Sequence, residues 1–133
     1  MDGLHLTADL RGCAPALPAM TDPDVLRAHC LASVAASGLQ PVGALFHRFP
    51  GAGGVTGVVL LAESHLAVHT WPELAAVTLD VYVCNHGADN TRRAETLFAA
   101  LLAAFAPGEV VRHALRRGGT VASEPPTNKV VAP

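Results

Sequence analysis

A chain of 133 residues, half of them apolar and 15% charged, has the length of one domain and enough apolar material for a core. Its formal net charge of -2 is too small to point to nucleic acid or an anionic membrane surface. No apolar run reaches the roughly 18 residues of a membrane span, and the opening MDGLHLTADL lacks the basic-then-apolar pattern of a secretory signal.

Residues 3–10, GLHLTADL, alternate with period two and read as a strand, with Leu4, Leu6, Ala8 and Leu10 on one face. Thr21 or Asp22 caps a helix that starts at Pro23 and runs to Ser37, where Gly38 stops it; Val25, Leu26, His29, Cys30 and Val34 form its expected inner face. Strands follow at 42–49 and 55–63, separated by the loop PGAGG. SHLAVHTW at 64–71 is extended, Pro72 and Glu73 interrupt it, and 74–84 is another strand. After the turn NHGAD, a helix spans Thr91 to Phe105 with Leu97, Phe98, Leu101 and Phe105 on its apolar stripe. Residues 109–118 form a last strand, and 119–133 read as a loose tail. This order predicts an α+β fold in a single domain over 1–133: a two-layer sandwich of a mostly antiparallel sheet with two helices packed on one face.

Polar residues crowd one otherwise apolar region: Glu63, Ser64, His65, His69, Thr70, Trp71 and Glu73, with Asp80 and Cys84 on the next strand. Burying such groups is costly unless they are paired or used. A zinc site on His65 and His69 is disfavoured, because residues four apart on a strand sit about 13 Å from each other and a zinc holds its nitrogens at about 2.1 Å. A serine hydrolase from Ser64, His69 and Asp80 has the residue types but lacks the GxSxG elbow. A thiol enzyme on Cys84 is compatible with composition and supported by nothing local. Cys13, Cys30 and Cys84 are odd in number and widely spaced, which argues against a disulfide framework and for a reducing, cytoplasmic setting. The four cations Arg112, His113, Arg116 and Arg117 read as a solvated face. The only lysine, Lys129, lies in PPTNKVVAP, a poor place for a lysine-bound aldehyde cofactor.

The stretch AESHLAVHTWPE at 62–73 closely resembles the ESHLxxHTWPE signature of the prokaryotic-type, pyruvoyl-dependent S-adenosylmethionine decarboxylase proenzymes. GLHLTADLRGC at 3–13, FHRF at 46–49, GVTG at 54–57 and LDVYVC at 79–84 resemble further landmarks of that family in the same order. The resemblance spans about residues 3–117 and implies an activity, a cofactor and a set of site residues.

It implies that the proenzyme cuts itself between Glu63 and Ser64, giving a β chain 1–63 and an α chain 64–133. The Ser64 hydroxyl attacks the Glu63 carbonyl, the resulting ester is lost by elimination, and hydrolysis leaves a pyruvoyl group, the covalent cofactor. An unactivated serine is a weak nucleophile, so the bond must be strained or its carbonyl polarised. In the same carry-over, Thr56 supports processing, His69 serves as the base and Cys84 returns a proton to the product. Phe49 and Trp71 would stack on the adenine or face the sulfonium, and Glu73 would meet the ribose hydroxyls. The family implies a homodimer with sites near the interface, a small-molecule substrate, no metal, and a place in spermidine synthesis. Three departures leave the substrate open: the glycine-rich FPGAGG loop, NHGAD after Cys84 where relatives carry glycine, and the tail. A basic amino acid, ornithine or arginine, is the alternative substrate, and an unprocessed ligand-binding homologue is a further one.

Overall fold

The computed structural model describes residues 1–119; the expected loose tail lies outside the described residues apart from its first position. Six strands form one sheet: β1 (Gly3–Arg11), β2 (Pro41–Arg48), β3 (Val55–Leu61), β4 (Ser64–Trp71), β5 (Ala76–Cys84) and β6 (Glu109–Arg117). Their order across the sheet is β2-β3-β4-β5-β1-β6, and every neighbouring pair is antiparallel. Two helices, α1 (Pro23–Ser37) and α2 (Thr91–Phe105), pack together on one face. The predicted two-layer α+β sandwich is the architecture observed.

The apolar positions of each strand explain which face the helices cover. Leu6, Ala8 and Leu10 of β1, Val55, Val59 and Leu61 of β3, Leu66 and Val68 of β4, and Val77, Leu79, Val81 and Val83 of β5 are all buried. They meet Leu26, Cys30 and Val34 of α1 and Leu97, Phe98, Leu101 and Phe105 of α2 in one core. Each fully buried Val, Leu or Phe among them contributes about 1.5–3 kcal/mol on burial. Burial also pushes the Cys30 thiol up to about 12 and raises Cys13, so both are inert packing residues. The Asp22 carboxylate accepts the Asp24 and Val25 N–H groups to cap α1, and Gly38 ends it at φ 82.

Several sequence-based boundaries shift. His29 is exposed rather than on the inner face of α1, because the buried stripe runs through Leu26, Cys30, Val34 and Ser37 and leaves the imidazole in water. Strand β3 stops at Leu61, two residues earlier than expected, because Ala62 and Glu63 form the connection to β4. β5 starts at Ala76, since Pro72–Leu74 make a short 3-10 turn that Ala75 closes in the left-handed region.

Among the described residues, no helix covers the second face of the sheet. It presents His5, Thr7 and Asp9 from β1, Thr56, Val58 and Leu60 from β3, His65, Ala67 and His69 from β4, and Thr78, Asp80 and Tyr82 from β5, which alternate with the buried residues. His65, His69, Asp80 and Cys84 of the candidate region follow this open-face alternation, whereas Thr70 points to the buried side. Among the described residues no helix is long and apolar enough to cross a membrane. The arginines of β6 each have a local partner: Arg112 lies over the Phe98 ring and reaches Glu95, Arg116 faces Asp2, and Arg117 lies over Tyr82.

Candidate active site

The Glu63–Ser64 peptide lies at the tightest turn of the sheet. Only Ala62 and Glu63 separate β3 from β4, and Leu61 pairs with Ser64. A two-residue hairpin suits the strands' twist when its central residues take positive φ, as Gly, Asn or Asp can. Neither Ala62 nor Glu63 does so; the misfit falls on Ser64, whose φ is 156. A serine held there stores strain on the order of 1–3 kcal/mol, which persists only if surrounding contacts enforce it. They are present. The Ala62 N–H donates to the Gln40 carbonyl (2.8 Å), the Gln40 N–H donates to the Glu63 carboxylate (3.0 Å), and the Cys84 N–H donates to the Glu63 carbonyl oxygen (2.7 Å). That last bond aims a donor at the oxygen on which charge would develop if the Glu63 carbonyl were attacked.

Cys84 ends β5 beside this peptide. Its sulfur accepts the His86 N–H at 3.4 Å, and its carbonyl accepts Asn90 Nδ2 at 2.9 Å. Asn90 is itself fixed by the Asn85 side chain and by Arg93. The NHGAD departure from the family pattern therefore forms an ordered clamp behind the cysteine.

The other end of β4 forms a cleft of about 300 Å³ lined by Phe49, Thr56, His69, Trp71 and Glu73. Phe49 is 50% exposed and Trp71 43%, so neither ring is core. Thr56 and His69 are directly paired across β3 and β4, and Thr56 Oγ1 is hydrogen-bonded to His69 Nδ1. The FPGAGG loop forms one wall. Gly54 allows it: a Cβ there would lie 2.6 Å from the Thr70 carbonyl oxygen. Thr70 is buried and structural, accepting the Val55 N–H and donating to the Met20 carbonyl.

A third group was not foreseen as a unit. The Asp80 carboxylate is shared by His5 Nε2 (2.8 Å) and His65 Nε2 (3.2 Å), both rings pack on Tyr82, and Arg117 Nη1 lies 3.2 Å from His5 Nδ1. The three ligand atoms fall within 4.8 Å of one another, close enough to invite a cation. A guanidinium can only donate, so His5 Nδ1 is the acceptor and Nε2 carries the hydrogen that faces Asp80. That tautomer offers no lone pair toward the cluster centre. The arrangement is a hydrogen-bonded chain from Arg117 through His5 and Asp80 to His65. Period-two alternation places His5 and Asp80 on polar faces of their strands; their adjacency comes only from β1 pairing with β5.

The predicted site residues thus fall into two sets. Glu63, Ser64 and Cys84 meet at one end of β4; Phe49, Thr56, His69, Trp71 and Glu73 meet at the other. Ser64 and His69 are five residues apart on one strand, about 16 Å, so one chain does not bring them together.

The chain matches the family model for S-adenosylmethionine decarboxylase over residues 4–118. It is 36% identical to an S-adenosylmethionine decarboxylase proenzyme of Archaeoglobus fulgidus over 116 residues, covering 87% of this chain and 97% of that protein. A proenzyme of the same name from Pyrococcus furiosus is 35% identical over 104 residues, 78% of this chain and 73% of the other. The fold superimposes on the crystal structure of the adenosylmethionine decarboxylase from Aquifex aeolicus with a TM-score of 0.80 at 29% identity, covering 92% of this chain and 96% of that one. Motif, fold and site geometry converge, and the chain belongs to the S-adenosylmethionine decarboxylase family.

Proposed function

We propose that the chain is a self-processing decarboxylase that converts S-adenosylmethionine to its decarboxylated form, the propylamine donor used in spermidine synthesis. The observation that carries this reading is the Glu63–Ser64 peptide, where a strained serine and a carbonyl already holding an N–H donor coincide at the position of the family's cleavage motif. Either feature would help an unactivated serine attack an amide, and their coincidence at one bond supports the reading. In the proposed route Ser64 Oγ adds to the Glu63 carbonyl carbon and the C–N bond breaks, leaving an ester and a free amine. Loss of the Ser64 α-proton breaks the Cβ–Oγ bond and frees Glu63 as a carboxylate. Hydrolysis then releases ammonia and leaves a pyruvoyl group at residue 64. A ketone there would supply an electrophile for the substrate amine and a sink for the electron pair released on decarboxylation. The chain's own residues supply the rest: Cys84, beside residue 64, returns a proton to the product carbon, and the Phe49, Trp71 and Glu73 cleft holds the nucleoside.

The separation of the two sets of residues supports a homodimer with shared sites. The open sheet face is polar along β1 and β5 but apolar near β2 and β3, where Leu45 is 72% exposed and Leu60 51%. A twofold axis near the middle of β4 would lay two such faces together with strands running oppositely. The Ser64 end of one chain would then meet His69 of the partner subunit and its cleft. In that arrangement His69, hydrogen-bonded to Thr56, would take the Ser64 α-proton.

The test is the mass of the purified protein and its turnover. Two fragments parting after Glu63, with the larger one blocked and trapped by hydrazine, are expected. Carbon dioxide should be released from S-adenosylmethionine and not from ornithine or arginine. A single uncut chain without a trappable carbonyl would leave only ligand binding, and faster release from either basic amino acid would replace the substrate.

A further inference from the structure

We propose that Asp80 is a positioning residue for the chain end that self-cleavage creates, acting through His65; this rests on the reading of Glu63–Ser64 above. Before cleavage β4 is held at its start by a continuous chain: the two-residue turn ties Ser64 to β3, and Ser64 pairs with Val83. Cutting that turn makes residue 64 a terminus, and a terminus frays unless something holds it. The first side chain behind it is His65. Its Nε2 donates to Asp80 Oδ2 on β5, the diagonal neighbour of its paired residue Tyr82, and its ring lies edge-on to Tyr82 at 5.7 Å. Asp80 is fixed in turn by His5 of β1, and His5 by Arg117 of β6. Four strands therefore converge on the imidazole next to the reacting residue. The hydrogen bonds of the scissile peptide run instead through Gln40 and Cys84.

The consequence is an asymmetry. The anchor is redundant while the chain is intact and needed once it is cut. Asp80→Asn and His65→Gln, made singly and together in the full chain, should each cleave to within about twofold of wild type. Their kcat should fall by about tenfold, the value of one charge-assisted hydrogen bond, with KM changed far less. The double variant should lose no more than the worse single one, since both break the same link. The His65 Nε2–H resonance, slow to exchange in cleaved wild type, should disappear in Asp80→Asn. Asp80→Asn that no longer cleaves, that turns over at the wild-type rate, or whose loss multiplies with that of His65→Gln overturns the proposal. If Asp80→Asn does not fold, His65→Gln carries the same test, and equal loss of cleavage and turnover overturns it. Wild type that never cleaves would sink the reading of the peptide; cleaved wild type with an indifferent Asp80 sinks only this one.

Discussion

At the Ser64 end of β4 the chemistry resides in the backbone: a turn two residues long, a positive φ on a serine, and an N–H aimed at one carbonyl. At the His69 end it resides in side chains: an imidazole tied to a hydroxyl, two half-exposed aromatic rings and a carboxylate around a cleft. The first end is held by backbone hydrogen bonds from Ala62 and Cys84, suited to rearranging its own chain. The second is open and suited to receiving a ligand. Strand geometry keeps them about 16 Å apart, so the two sets of residues are separated within a chain, and only the proposed homodimer would bring them together.

The hardest break in this comparison is Ser64→Ala, which removes the nucleophile and leaves the strain. Only full-length chain is expected by intact mass, with no turnover; cleavage at 63 in that variant would mean that strain alone hydrolyses the bond. Next comes a mixture. Ser64→Ala and His69→Ala chains, each inactive alone, should recover roughly a quarter of wild-type turnover when co-expressed, because half of the dimers are hybrid and each hybrid holds one complete site. No recovery would place both groups in the same chain's site. Cys84→Ala should keep the N–H that serves the Glu63 carbonyl, cleave normally, and lose about 10²–10⁴-fold in turnover. Normal turnover would remove the thiol from its role. The smallest effect is expected for Thr56→Val, which loses the hydrogen bond to His69. Cleavage should slow by about tenfold in a time course of fragment appearance, with the cleft intact.

Much of this was legible before any fold was known. Alternation in GLHLTADL announced a half-buried strand, the branched run VTGVVLLAE announced a strand two residues longer than the one observed, and the stripe through Leu97, Phe98, Leu101 and Phe105 announced a helix with one apolar face, because side-chain period follows from backbone geometry alone. The cleavage position came from another source: it is what the resemblance of ESHLAVHTWPE to the family signature implies. His29 shows the limit of that method, since periodicity admits it to a stripe that the sheet's actual contact leaves too narrow.

What remained for the tertiary structure were relations between distant residues. β1 lies between β5 and β6, so His5 and Asp80, 75 positions apart, share a hydrogen bond that no local pattern encodes. The strain at Ser64 likewise depends on Gln40 and Cys84 clamping a turn whose own residues would relax it. Sequence determined which groups exist and which face each one takes. Long-range strand pairing decided which groups meet, because hydrogen bonds across a sheet join segments without regard to their separation along the chain.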